Sequence, residues 1–208
     1  FKSLSLKVII FGFIFTFFSS FGQSYFLGLF NSSIRETLSI THGQFGSIYA
    51  SATLLSSFLL IWVGKKIDDI NIFKFAFLVI IALSFSCFFF SKISSIIILF
   101  IAIFLMRFSG QGLMSHTSST TISRYFNKRR GRALSGIWFG LSSAEFVLPI
   151  LIVFLLTIFS WRTIWHFISV IILIILPLVV FYTIRNITFE SREGLGIQQN
   201  KLKIKEIK

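Results

Sequence analysis

Cysteine, proline and charged residues are scarce in this sequence, and each scarcity excludes a class of protein. The single cysteine, Cys87, excludes a disulfide framework and a multi-cysteine zinc site. Only 2 prolines among 208 residues leave long stretches free to form helices. Charged residues are 13% of the chain and hydrophobic residues 55%, against roughly 25% charged residues in a soluble domain. These values exclude disorder and indicate a protein of the lipid bilayer.

Six segments are apolar and long enough to cross a membrane. A spanning helix needs about 20 residues to cross about 30 Å of hydrocarbon. We therefore predict an all-α membrane protein, a six-helix transmembrane bundle, with spans at Val8–Phe30, Gln44–Val63, Ile72–Phe90, Ile93–Ser119, Ala133–Phe159 and Thr163–Thr183. Very short external connections predict tight antiparallel hairpins of spans three and four and of spans five and six. The basic, apolar N-terminus resembles a signal peptide, but its apolar run is too long for one.

Two capping-box spacings predict helix starts. In a capping box, a Ser or Thr side chain and a Glu or Gln three residues later each accept a backbone N–H of the other. Thr41 and Gln44 have this spacing and predict the start of span two. Ser33 and Glu36 have it as well and predict the start of a short external helix.

Basic residues are concentrated in the connections on one side of the membrane. With the N-terminus in the cytoplasm, sixteen Lys and Arg residues lie inside and three lie outside: Arg35, Lys92 and Arg162. This bias predicts that both termini are cytoplasmic, and it accounts for the net charge of +13 without nucleic acid. We expect a protein of the bacterial inner membrane, with a transmembrane domain over 1–186 and a basic tail or central linker over 187–208.

Two ionisable residues, Arg107 in span four and Glu145 in span five, fall near mid-membrane. An ionised group there costs at least about 2.5–3.5 kcal/mol, so each is a hypothesis about function. The two side chains form a structural ion pair in one interpretation. In the other, they line an anion-binding or proton-handling cavity. Glu145 also has the polar patch of Gln23, Ser24 and Tyr25 in span one as a possible partner.

Helical geometry places further residues relative to Arg107. At 100° per residue, Gln111, Met114 and Ser118 lie on the same face as Arg107, which predicts a partly polar cavity wall. His116 falls on the opposite face, where a hydrogen bond that packs two helices is the simpler role.

Catalytic and metal-binding motifs are not found in the sequence. The segment from Gly140 lacks the second glycine of a nucleophile elbow, and no phosphate-binding glycine loop occurs. The three histidines are scattered, and the carboxylates of Asp68 and Asp69 lie in a basic loop where charge balance explains them. We therefore predict neither an enzyme nor a cofactor or metal site.

Four features, in chain order on six spans, resemble the N-terminal half of a major facilitator superfamily transporter. Gly64 and Asp68 match the family's loop signature between spans two and three. Asn71 replaces a glycine of that signature, and because Asn tolerates the left-handed conformation we expect the turn to survive. Arg107, with the Gly-Gln-Gly run that follows it, resembles the span-four signature.

The other two features lie further along the chain. Gly136, Gly140 and Ala144 form a small-residue stripe suited to tight helix contact, and the stripe resembles the span-five signature near Pro149. The basic loop Arg124–Ala133 is similar to that of the monocarboxylate and oxalate/formate antiporter branch.

The resemblance implies a substrate held between two six-helix halves that alternate in access. It implies a small-molecule substrate, and it makes Gln23, Tyr25, Arg107, Gln111 and Glu145 candidates for a cavity. An arginine suits a carboxylate, so the implied substrate is a small organic anion moved by proton symport or exchange. The C-terminal half is then missing from this chain, which starts with Phe rather than Met. A sugar or efflux carrier of the same superfamily, and a six-span scaffold or dimer, are the alternatives.

Overall fold

The computed structural model describes residues 2–126, 129–185 and 187, and all regular structure within them is helical. The α-helices are α1 Lys2–Ser19, α2 Ser24–Gly28, α3 Asn31–Leu38, α4 His42–Val63, α5 Ile72–Phe90, α6 Ile96–Met106, α7 Ser115–Tyr125, α8 Arg130–Leu156 and α9 Trp161–Ile184. Short 3-10 helices cover Ser20–Gly22 and Gly64–Asp68, and a π-helix covers Arg107–Met114.

These elements form six helices long and apolar enough to cross a membrane, as predicted. The spans, numbered one to six, are Ser5–Gly28, His42–Asp68, Ile72–Phe90, Ile96–Tyr125, Arg130–Leu156 and Trp161–Ile184. Span three has the predicted bounds. Span four runs six residues beyond the predicted end at Ser119. In this polar stretch the hydroxyls of Thr117 and Thr121 donate to carbonyls of their own helix, so these side chains do not need partners outside it. Apart from residue 187, the predicted tail lies outside the described residues.

One of the two predicted capping boxes is present. The Thr41 hydroxyl accepts the N–H of Gln44 at 3.2 Å, and the Gln44 side chain accepts the N–H of Thr41 at 2.9 Å. The box at Ser33 is wrong, although the predicted helix exists. The N–H of Ile34 already bonds to the carbonyl of Phe30, so α3 begins at Asn31 and Ser33 lies inside it.

The core of the bundle lies between spans one, three, four and six. At one end of the core, the indole of Trp165 packs against the rings of Phe26, Phe30 and Phe90, with centroids 4.5–5.5 Å apart. Spans two and five are the least buried, with 11% and 22% of their residues inside, against 39–50% in the other four. Most of the surface of these two spans is therefore available for contact with lipid or with another protein domain.

Spans three and four form the predicted hairpin, but spans five and six do not. Span five packs mainly on span one, and span six packs mainly on span three. Reciprocal hydrogen bonds hold span six there: each hydroxyl of Ser84 and Ser169 donates to the other residue's carbonyl, at 3.0 and 2.9 Å. A short connection fixes where two helix ends meet, but buried polar pairs of this kind decide which helix faces which.

Candidate functional site

Spans one and four both depart from α-helical geometry where they cross. Span one breaks after α1 into the 3-10 turn Ser20–Gly22, continues through the extended Gln23 (φ −80°, ψ 154°) and resumes as α2. Span four is π-helical at the same level. Irregular backbone at membrane depth is tolerated where protein buries it or where it lines a cavity, and π segments are frequent at functional sites.

Glycines bring the two irregular segments into backbone contact. A Cβ atom on Gly22 would lie 2.4 Å from the carbonyl oxygen of Met106 and 2.5 Å from the backbone nitrogen of Gln111. A Cβ on Gly110 would lie 2.7 Å from the Cα of Gly22. Only glycine at both positions allows this approach, so the crossing is specified by the sequence.

Arg107 opens the π-helix and points its side chain into span one. The side chain is only 7% exposed. Its Nη1 donates to the carbonyl oxygen of Gly22 at 3.1 Å and to the hydroxyl of Ser24 at 3.3 Å. Its Nε is buried without a hydrogen-bond partner among the described residues. The guanidinium is thus anchored through one nitrogen and leaves a second donor open.

Tyr49 of span two completes this network, and the sequence analysis missed it. The Tyr49 hydroxyl donates to Ser24 at 2.9 Å, and the Arg107 guanidinium carbon lies 5.4 Å from the centre of the tyrosine ring. The sequence places Ser24 in a polar patch but does not predict it as a site residue. Tyr49 lies inside span two and away from the interfacial belts, and that position in the sequence is what could have identified it as a candidate site residue.

Gln23 and Gln111 flank the crossing, and both side chains are half-buried. The predicted polar face does not extend further along span four. Met114 and Ser118 are fully buried, and the Ser118 hydroxyl donates to the carbonyl of Gly12 in span one at 2.8 Å. These two side chains are enclosed by packing and do not form the wall of a cavity in this structure. The prediction is wrong there because a π-helix advances its side chains differently from the assumed α-helix.

His116 has the packing role predicted for it. Its Nε2 lies 2.9 Å from the carbonyl oxygen of Gly64, so this hydrogen bond joins span four to the end of span two.

Glu145 is not paired with Arg107. Its side chain is exposed on span five, and the salt bridge found within 2–126, 129–185 and 187 joins Arg124 to Asp68. Span five also contacts α2, the helix that carries Ser24 and Tyr25 of the other predicted partner patch. The hydroxyls of Tyr25 and Ser20 are both buried at the break in span one. Arg107 is therefore without a carboxylate partner among the described residues.

The small-residue stripe of span five is only partly a contact surface. A Cβ on Gly140 would lie 2.3 Å from the carbonyl oxygen of Phe13 and 2.5 Å from the hydroxyl of Thr16, both in span one. Ala144 is buried as well. Gly136 is exposed, and no atom of the described chain comes within 4 Å of a Cβ built there. The prediction of tight contact is wrong for Gly136, because the buried face runs through Ala133, Ile137 and Gly140.

This difference predicts opposite effects for two identical substitutions. We expect Gly140→Ala to destabilise the protein by about 1–3 kcal/mol, because the new methyl group overlaps the backbone of span one. Gly136→Ala, one turn earlier, is the matched control and gains up to about 1 kcal/mol of helix propensity. Heating followed by maleimide labelling of the buried Cys87 measures both changes. Equal midpoint temperatures for the two variants would contradict this packing.

The loop between spans two and three contains the ion pair between Asp68 and Arg124. Nη2 of Arg124 bonds to the Asp68 carboxylate, and Nη1 donates to the carbonyl of Ile67 at 3.2 Å. The turn was expected to place Asn71 in the left-handed conformation, and this expectation is wrong. With φ −55° Asn71 caps α5 instead, by accepting the N–H of Phe73 at 2.8 Å. Asp68 thus fastens this loop to the end of span four.

A cavity of about 410 Å³ lies near this loop, between spans two and four. Leu60, Lys65, Asp68 and His116 are among its lining residues, and none of the Arg107 network contributes to it. Within the described part of the chain, no three His, Cys, Asp or Glu side chains lie close enough together to hold a metal ion.

Comparison with known proteins agrees with this architecture. The family described as Major Facilitator Superfamily matches residues 12–206, nearly the whole chain. Comparisons with curated proteins and with solved structures gave no match. The monocarboxylate and oxalate/formate branch is not distinguished by this match. Six membrane-spanning helices and a family match of this length establish that the chain is an integral membrane protein that belongs to the Major Facilitator Superfamily of secondary transporters.

Proposed function

We propose that this chain is the N-terminal half of a transporter that moves a small organic anion by proton symport or exchange. The observation that carries the proposal is Arg107, a cation that is more than nine-tenths buried and unpaired with any described carboxylate. An uncompensated buried charge is costly. A substrate carboxylate supplies the missing negative charge, and the planar guanidinium binds it with paired hydrogen bonds.

The position of Arg107 supports alternating access. It lies where two interrupted helices cross, and broken spans at the membrane midplane are the usual place for substrate in secondary transporters. Ser24 beside it is exposed on the surface of the half, so a ligand reaches the site from the open side of the bundle. The second half then covers the ligand from that side.

Glu145 supports the coupling to protons. A carboxylate exposed to hydrocarbon is unfavourable, so the face of span five that bears it turns toward water or toward the second half. In the proposal, Glu145 is the group of span five that carries the coupled proton. The proposal includes cytoplasmic termini in a bacterial inner membrane, which the excess of Lys and Arg in alternate connections supports.

Uptake by the complete protein in reconstituted vesicles tests the proposal. The probes are labelled acetate, lactate and oxalate, with labelled glucose as the neutral comparison. We expect uptake of at least one carboxylate, raised severalfold by an acidic exterior or by an internal load of the same anion, and no uptake of glucose. Uptake of glucose alone would favour a sugar carrier, and uptake of no probe by folded protein would favour a scaffold. Either result would overturn the proposal.

A further inference from the structure

The hydrogen bonds around Ser24 leave its hydroxyl proton with no protein acceptor. A serine hydroxyl has one donor and two acceptor lone pairs. Its oxygen accepts one hydrogen bond from the Tyr49 hydroxyl at 2.9 Å and one from Nη1 of Arg107 at 3.3 Å. Both lone pairs are then occupied, and the O–H is directed away from its two donors. The residue is exposed, so a ligand outside this half can reach the remaining donor.

A second open donor belongs to the same network. The Nε–H of Arg107 is buried and has no hydrogen-bond partner in the described chain. It shares one planar guanidinium with Nη1, which already contacts Ser24. In the proposed site the guanidinium forms paired hydrogen bonds with a carboxylate, and because each carboxylate oxygen accepts more than one hydrogen bond, one of them can also accept the Ser24 O–H.

From these contacts we propose that Ser24 binds the substrate carboxylate directly and that Tyr49 is the residue that positions Ser24. The inference rests on the proposed function, since it names the donors that hold the anion. Tyr49 acts by occupying a lone pair of the serine, which keeps the serine proton available to the ligand. It touches Ser24 rather than the substrate.

The same contacts explain why an anion is preferred to a sugar. The open groups of the network, the Ser24 hydroxyl and the Arg107 Nε–H, are both donors. A carboxylate accepts hydrogen bonds and donates none, so it satisfies both. A sugar hydroxyl must also donate, and at Ser24 it finds the oxygen's lone pairs already occupied. A buried donor left without an acceptor lowers affinity.

Kinetics of carboxylate uptake by the complete protein test this inference, with the best-transported labelled probe among acetate, lactate and oxalate. We expect Ser24→Ala to raise KM about tenfold or more with little change in kcat, because a hydrogen bond to a charged group is lost in binding. Tyr49→Phe raises KM by a smaller factor, about threefold to tenfold. Ser24→Thr keeps the hydroxyl and retains KM within about twofold.

Two control variants separate this effect from a general disturbance. Ser47, an exposed serine of span two, bonds only to the carbonyl of Gly43 in its own helix at 3.0 Å, so Ser47→Ala leaves KM unchanged. Tyr182 is exposed near the end of span six, and Tyr182→Phe leaves KM unchanged as well. KM does not depend on how much protein is inserted, so reduced folding of a variant does not imitate the expected result.

The outcomes distinguish a failure of the role proposed for Ser24 from a failure of the proposed transport function. If Arg107→Gln abolishes carboxylate uptake while Ser24→Ala and Tyr49→Phe keep the KM of the unmodified protein, the role of Ser24 is wrong and the anion site stands. If Arg107→Gln transports the carboxylate normally, the proposed function itself fails. A rise in KM for Ser24→Ala that Ser24→Thr restores supports the direct contact.

Discussion

Arg107→Gln is expected to lower carboxylate uptake by at least about a hundredfold. The substitution removes the only cation of the network and the donors of its planar fork. Each charge-assisted hydrogen bond contributes about 1.5–3 kcal/mol, and two of them correspond to a loss of about a hundredfold or more. Initial rates of uptake of labelled acetate, lactate and oxalate into vesicles measure the loss.

Arg107→Lys is the matched variant for this prediction. Lysine keeps the positive charge but cannot form the paired bonds of a guanidinium. We expect it to retain more uptake than glutamine and clearly less than arginine. Protection of the buried Cys87 from maleimide at room temperature confirms that each variant is folded. Uptake by folded Arg107→Gln equal to that of the unmodified protein would remove Arg107 from the site.

Gly22→Ala is expected to disrupt both folding and transport. Its methyl group would overlap backbone atoms of Met106 and Gln111, and neither can move without displacing span four. Overpacking destabilises a protein by about 1–3 kcal/mol. We expect Gly22→Ala to be at the upper end of this range, because the overlapping atoms belong to the backbone and not to a flexible side chain that could move away. The carbonyl of Gly22 also anchors Arg107, so the folded fraction loses the geometry of the site.

Gly28→Ala in the same span is the control for this prediction. No atom of the described chain lies within 4 Å of a Cβ at Gly28, so we expect its stability to be at least that of the unmodified protein and its uptake to be unchanged. For Gly22→Ala we expect less than about a tenth of the uptake and a midpoint of Cys87 labelling lowered by several degrees. Equal behaviour of the two variants would show that spans one and four do not cross at glycine.

The positions of the six spans were predictable because they follow from local composition. Apolar runs of about 20 residues are readable without tertiary contacts, and span three matches its prediction at both ends. The capping box at Thr41 is equally local and is confirmed. The failure at Ser33 shows the limit of that signal, since a hydrogen bond from Ile34 to Phe30 had already begun the helix.

The candidate site was predictable only in part, since it depends on how spans meet. A charge within a span identified Arg107, but its partners Ser24 and Tyr49 come from two other spans. The π-helix changes which residues share a face. An α-helical spacing of 100° per residue therefore predicts Ser118 in a cavity wall, whereas Ser118 packs on span one. Gly136 and Gly140 are alike in sequence spacing, and only the neighbouring span separates their roles.

Equilibrium binding of a labelled carboxylate to the purified complete protein tests the central claim most directly. The claim is that a small organic anion binds to Arg107 where spans one and four cross. For the best-transported of acetate, lactate and oxalate, we predict saturable binding that excess unlabelled carboxylate displaces and glucose does not, and that disappears in folded Arg107→Gln. Binding of the same affinity in Arg107→Gln, or displacement by glucose, would contradict the account.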